Sequence, residues 1–194
     1  VVTVRSNSPV IPQAGWRLLY VDSQEISNWA ATKAFDGNPN TFWHTQFQNG
    51  LPPHPHEIQI DLGQTYSVDG FRYLPRQDAY TFGTIAQYEF YVSADGVNWG
   101  SAVATGTFAN SSSEKEVAFA AKAGRYIRLK SLSEVNGGEL ASAAEINVLG
   151  GLSGGNQAPN GVIDSPLGNV TINEGDSVVF AGTGNDPNGN LPVS

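Results

Sequence analysis

The chain of 194 residues contains no cysteine and no methionine. Without cysteine there is no disulfide framework, no thiolate nucleophile and no cysteine-bound zinc. Methionine is missing even at position 1. The expectation is a chain that starts after processing or as an excised fragment, with any signal peptide outside it. Charge is scarce, at 14% of residues, against about 25% in an ordinary domain. It leans acidic, with eighteen Asp and Glu against ten Lys and Arg and a net charge of −8. So acidic a chain is a poor partner for nucleic acid or for an anionic membrane surface. No apolar run approaches the roughly 20 residues of a membrane span. There is no Gly-x-Ser-x-Gly elbow and no phosphate loop closing on Gly-Lys-Ser/Thr. The acids are scattered, and none stands in an apolar run that would shape a catalytic carboxylate pair.

Glycine (22), proline (11) and aromatic residues (4 Trp, 7 Tyr, 9 Phe) are plentiful instead. Many turn formers, many aromatics and little charge favour an all-β protein. Alternation confirms the period. Ile58, Ile60 and Leu62 fall on one face, as do Tyr88, Phe90 and Val92, and again Arg125, Ile127 and Leu129. Turn clusters such as Asp36-Gly37-Asn38-Pro39-Asn40, Asn49-Gly50-Leu51-Pro52-Pro53 and Asp95-Gly96 separate the runs. Only Asn28 to Phe35 looks helical. The architecture expected from this is a sandwich or barrel.

Composition breaks near residue 150. All ten basic residues precede it, and only four acids follow. The domains expected are 1–150, a flexible Gly-rich linker over 151–157, and a segment over 158–194. That last segment reads as about three short strands, the opening of an immunoglobulin-like domain.

Few residues carry chemistry. His54-Pro55-His56 has the spacing of two metal ligands on one face, while the surrounding prolines favour a turn or an edge. The turn with Asp36, Asn38, Asn40 and Thr41 is oxygen-rich and could wrap a hard cation, or be a plain Asp-Gly turn. It is not an EF-hand, because Asp36 is its only acid. His44 lies among Trp43 and Phe47 in a presumed loop, and Arg76 closes a strand before an aromatic loop. Such groups suit sugar recognition, with aromatic faces on C–H groups and polar side chains on hydroxyls. They suit a structural histidine and a surface ion pair equally well.

Ordered blocks carry a resemblance. They are Val21 to Glu25, Asp36 to Thr45, His56 to Gly63, Val68 to Phe71, Tyr91 to Trp99, Gly124 to Leu129 and Ala144 to Ile146. Residues about 15–150 resemble a galactose-binding-like discoidin domain, the fold of family 32 carbohydrate-binding modules and of coagulation-factor type C domains. Trp43-His44-Thr45 with Leu74-Pro75-Arg76-Gln77 is most similar to the family 32 modules of secreted glycan-degrading enzymes. The resemblance implies an eight-stranded antiparallel jelly-roll β-sandwich and a structural calcium. Asp36 and Glu145 would supply side-chain oxygens to the ion, and Lys33, Asn38, Thr41 and Ala144 mainly backbone oxygens. It implies a galactose-type site with His44, Arg76, Glu25 and Phe47, where His44 and Arg76 act as donors to an axial hydroxyl. The family's asparagine after the arginine has no match here, and Tyr80 or Phe82 would add a stacking surface in its place. The tail resembles the start of a polycystic-kidney-disease-type or bacterial immunoglobulin-like repeat. The expected protein is therefore extracellular and non-catalytic. It binds a galactose-containing glycan or polysaccharide and brings a parent catalytic domain in the same polypeptide to it. The alternative is a structural or adhesive discoidin domain that binds no sugar. A buried acid paired with Arg76, or a Phe47 in the core, would favour that alternative.

Overall fold

The computed structural model describes residues 8–153 and 160–185. The chain divides into two compact units, with the boundary between residues 153 and 154. The first unit holds β1 (Arg17–Val21), β2 (Trp43–His44), β3 (His56–Leu74), β4 (Gln87–Ser93), β5 (Ala104–Thr107), β6 (Lys115–Ser131), β7 (Ser142–Ala143) and β8 (Glu145–Leu152). Two 3-10 helices, Ser27–Trp29 and Ala31–Phe35, occupy the helical-looking stretch. No helix among the described residues is long and apolar enough to cross a membrane.

The two long strands make the sandwich. The first part of β3 pairs with β1, and its second part pairs with β8. β6 stays antiparallel to β3 throughout, with a register break between Asp61 and Tyr66. β4 joins only the C-terminal part of β6, and β5 joins β4. Both long strands thus fold over and pass from one layer into the other. Period-two alternation supplies each layer's inner face. Ile58, Ile60, Leu62, Ile127 and Leu129 come from one layer, and Val68, Phe71, Tyr73, Ile146 and Val148 from the other. Aromatic stacking fills the middle: Phe71 lies parallel to Phe90 at 4.1 Å, and Tyr88 stacks on Phe108 at 4.1 Å. A second register break falls beside Gly70, where a Cβ would stand 2.8 Å from the Val117 carbonyl oxygen. The bulge needs a residue without a side chain.

β8 continues to Leu152, which pairs with Tyr66. Residues 151 and 152 are therefore strand rather than linker. Ladder hydrogen bonds and the packing of Leu152 on the core outweigh their glycine-rich composition. The rest of the expected linker, apart from Ser153, lies outside the described residues. The second unit is a hairpin of β9 (Asn160–Ser165) and β10 (Ala181–Asn185). Of the roughly three short strands expected in 158–194, none forms over 166–180. Ile172, Val179 and Phe180 stay half exposed or more, since the two strands among the described residues of this unit form too small a sheet to bury them.

Candidate functional site

Three loops converge beside the short β2–β7 pair. β2 and β7 pair Trp43 with Ala143 and His44 with Ser142. Thr45 clips the same segment from both sides. Its N–H donates to the Ala141 carbonyl, and its hydroxyl accepts from the Ala141 N–H, both at 2.9 Å. Glu134 holds the aromatic loop. Its buried carboxylate accepts from the N–H of Gly83 at 2.9 Å and of Gly138 at 2.8 Å. Gly83 has φ +80 and lies against Ser142, a conformation and a spacing that suit only glycine.

Between these loops lies a cavity of about 270 Å³ lined by Trp29, His44, Phe47, Arg76, Tyr80, Phe82 and Leu140. The lining is mostly aromatic. Phe47 is 42% exposed, Tyr80 59% and Phe82 55%. Phe47 meets His44 edge-on at 5.0 Å and Trp29 edge-on at 5.5 Å. Tyr80 and Phe82 stack on each other at 6.3 Å. A second large cavity, about 370 Å³ and lined by Arg17, Asp61, Gln64, Tyr66 and Arg125 among others, lies at the fold-over of β3 and β6. It holds a closed ion pair, Arg125 to Asp61 at 2.7 Å. It lacks the facing aromatics of the first cavity.

His44 is 3% exposed. Its Nδ1 lies 2.7 Å from the Thr45 carbonyl oxygen. A carbonyl only accepts, so Nδ1 carries the proton and Nε2 of the neutral ring is an acceptor. Burial pushes the ring's proton affinity down, the Thr45 carbonyl works against this, and the nearby Arg76 charge adds to the lowering. The expected role of His44 as a donor is thereby corrected to that of an acceptor. The neutral ring persists until the pH falls below the ordinary histidine range. Arg76 supplies the donors. Its Nε donates to Asp78 Oδ1 at 2.7 Å, one Nη2–H to Oδ2 at 2.5 Å, and Nη1 to the Phe82 carbonyl at 3.4 Å. Two of its five N–H groups remain for a ligand. Phe42 lies 4.4 Å beneath the guanidinium. Asp78 is an exposed acid, not a buried one, so the pair orients Arg76 without closing the pocket.

Glu25 is placed differently from the expectation. It is buried, and its Oε2 accepts from the N–H groups of Phe47 and Gln48, both at 3.0 Å. Those two donors hold its carboxyl below the usual carboxylate range. Glu25 positions Phe47 through Oε2 and is not among the residues that line the cavity. Glu25→Ala is expected to weaken ligand binding several-fold with the β-sheet circular dichroism unchanged. Titration of the variant against wild type checks this. Trp29 and Leu140 line the cavity without having been expected there. The only sequence signal for Trp29 is an aromatic within a short helical stretch, and Leu140 gives none.

The oxygen-rich turn lies next to Glu145. Asp36 accepts from the Asn38 N–H at 3.0 Å and the Thr41 hydroxyl at 2.8 Å, and pairs with Lys33 Nζ at 3.2 Å. Glu145 is buried. Its Oε2 accepts from Gln13 Nε2 at 3.0 Å, while its Oε1 is buried with no partner among the described residues. Burial raises its proton affinity, Gln13 lowers it, and the Asp36 charge raises it further. Ala144 is buried beside it and donates to the Leu74 carbonyl at 2.8 Å. Among the described residues, no three His, Cys, Asp or Glu side chains gather to hold a metal. Any cation here would need backbone oxygens as well as these two carboxylates.

His54 and His56 belong to no group of three His, Cys, Asp or Glu side chains that could hold a metal among the described residues. His56 is fully buried and both of its ring nitrogens are occupied by oxygens.

Comparison with known proteins fits this geometry. Residues 20–146 match the F5/8 type C domain family. The chain belongs to that family. It is 41% identical over 151 residues to galactose oxidase of Gibberella zeae, covering 76% of this chain and 22% of that protein. The chain thus spans about a fifth of the length of that relative. Among solved structures it is similar to the Clostridium perfringens module CpGH89CBM32-5, in complex with GalNAc-beta-1,3-galactose. There the identity is 34% and the TM-score 0.67, over 73% of this chain and 99% of that one. It is also similar to the family 32 carbohydrate-binding module of C. perfringens NanJ, in complex with galactose. There the identity is 32% and the TM-score 0.63, over 72% and 96%. The first unit is thus a jelly-roll β-sandwich of the kind found in family 32 carbohydrate-binding modules.

Proposed function

We propose that the first unit binds galactose-type sugars in the cavity of His44, Arg76 and Phe47 and brings a larger secreted, glycan-active protein to its substrate. The observation that carries this is an acceptor and a donor, His44 and Arg76, lining one aromatic pocket. His44 Nε2 accepts and Arg76 N–H donates, as one sugar hydroxyl requires of its two partners. Exposed Phe47 offers a face for sugar C–H groups. An axial O4 meets both polar groups. A gluco-configured sugar leaves them unpaired, which disfavours it strongly. One shallow site of this kind gives a Kd of about 0.1–1 mM, or roughly 4–5 kcal/mol. Weak sites serve such proteins through effective concentration. Calorimetry with galactose, N-acetylgalactosamine, lactose and glucose tests the reading. Binding of the three galacto-configured ligands and not of glucose supports it. No heat with any of them leaves the adhesive-domain alternative.

The same reading includes a structural calcium between Asp36 and Glu145. Its support is the buried Glu145 Oε1, which has no hydrogen-bond partner among the described residues, together with an Asp36 charge near enough to raise the Glu145 proton affinity. Asp36 and Glu145 would hold the ion with backbone oxygens from Lys33, Asn38, Thr41 and Ala144. It would clip a loop near the start of the domain to its last strand. Free ion at a hundredfold excess over Kd stabilises by about 2.7 kcal/mol, or roughly 5–10 °C in melting temperature. Calcium against chelator is expected to give that difference in wild type and none in Glu145→Gln. Equal melting of wild type in both would remove calcium from the account.

A further inference from the structure

His56 begins β3 with a fully buried ring. Its Nδ1 is 2.6 Å from Asp22 Oδ2, and its Nε2 is 2.8 Å from the Glu139 carbonyl oxygen. A carbonyl and an ionised carboxylate only accept hydrogen bonds. A neutral imidazole carries one N–H and cannot satisfy both, whereas an imidazolium can. Its neighbour differs. His54 Nδ1 faces the Ser131 carbonyl at 3.2 Å, and its buried Nε2 has no partner among the described residues. The rings lie 4.9 Å apart. One charged ring beside one neutral ring avoids a like-charge clash.

Glu139 connects this centre to the pocket. It precedes Leu140, which lines the cavity, and Ala141, which Thr45 clips. Its carboxylate accepts from the His54 backbone N–H at 2.8 Å. The two histidines therefore hold both polar ends of the residue next to Leu140. We infer that His56 is a positioning residue of the sugar pocket: as a buried imidazolium it ties Asp22 to the Glu139 carbonyl and so fixes Leu140 at the pocket wall. This rests on the sugar-binding reading above.

The groups facing His56 are Asp22 just after β1, His54 from the preceding segment, Glu139 from the loop before β7, and Ser131 opposite on β6. Glu57 donates its N–H to Asp22 Oδ1 at 2.7 Å, and Glu134 acts on His54. Burial lowers the proton affinity of His56, but the hydrogen bonds to Asp22 and Glu139 outweigh it, and the net direction is up. A raised group stabilises below its unfolded value, and that contribution is lost as pH rises through the folded one. The pocket wall is therefore firm in mild acid and loosens on the alkaline side.

Nuclear magnetic resonance of the His56 ring nitrogens and the Leu140 methyls across a pH series tests this, alongside titration with methyl β-galactoside. The Leu140 signals should move with the midpoint of His56 even without sugar. Affinity should fall about threefold to tenfold as His56 loses its proton, the scale of one or two lost hydrogen bonds. Asp22→Asn should carry both midpoints to lower pH together, a shift that general loss of stability does not produce. The wild-type comparison stands without the variant if the variant does not fold. A ring that is neutral in mild acid overturns the inference. So does a His56 titration that Leu140 and the affinity ignore. Failure of methyl β-galactoside to bind at any pH sinks the sugar reading, and the Leu140 signals alone then decide the linkage.

Discussion

Arg76→Ala is expected to abolish measurable galactoside binding. The guanidinium lies against Phe42 and is aimed by Asp78, with two N–H groups left for the ligand. Charge-assisted hydrogen bonds are worth about 1.5–3 kcal/mol each, so the loss of even one weakens binding roughly tenfold to a hundredfold. From a millimolar start, that leaves nothing calorimetry can read. His44→Ala should do the same by removing the acceptor. Arg76→Ala should move the melting temperature little, since its ion pair is with an exposed acid, whereas His44 is buried, so its variant is compared only where its circular dichroism matches wild type. Retained binding in Arg76→Ala would place the ligand elsewhere on the molecule.

Phe71→Ala is expected to have the largest effect on stability. Phe71 is fully buried, lies parallel to Phe90, and meets Tyr88 and Phe108 edge-on. It stands where the two layers face each other, so the hole cannot close without moving a sheet. Removing a buried phenyl ring costs about 3–5 kcal/mol, which is a large share of the 5–15 kcal/mol that holds a typical domain together. The melting temperature should drop by roughly 10–20 °C. Phe82→Ala is the control. Its ring is more than half exposed, so it should leave melting within about 0.5 kcal/mol of wild type while weakening sugar binding. Denaturant unfolding of the two variants side by side checks the contrast.

Much of the sandwich is legible in the chain, because alternation at Ile58, Ile60 and Leu62 and at Tyr88, Phe90 and Val92 needs only local information. His44, Phe47, Arg76, Tyr80 and Phe82 are also found from the sequence, through residue type and the family resemblance, and all five line one cavity. What fails is whatever depends on a distant backbone group. Glu25 looks like a ligand contact, but its partners are the Phe47 and Gln48 amides. His44 looks like a donor until the Thr45 carbonyl assigns its proton to Nδ1. His56 looks like a turn or a metal ligand, since neither Asp22 nor the Glu139 carbonyl can be placed beside it from spacing. Gly151 and Leu152 look like linker because composition carries no trace of the ladder to Tyr66 and Ser67. Strand runs in the second unit look real by pattern, yet a pattern makes a strand only where a sheet can receive it.

The most direct test of the central claim is a residue-resolved nuclear magnetic resonance titration with galactose and, separately, with glucose at the same concentrations. The account predicts shifts confined to Trp29, His44, Phe47, Arg76, Tyr80, Phe82 and Leu140 with galactose, and none of comparable size with glucose. Equal responses to the two sugars would contradict it. So would galactose-induced shifts centred on Arg17, Asp61 and Arg125.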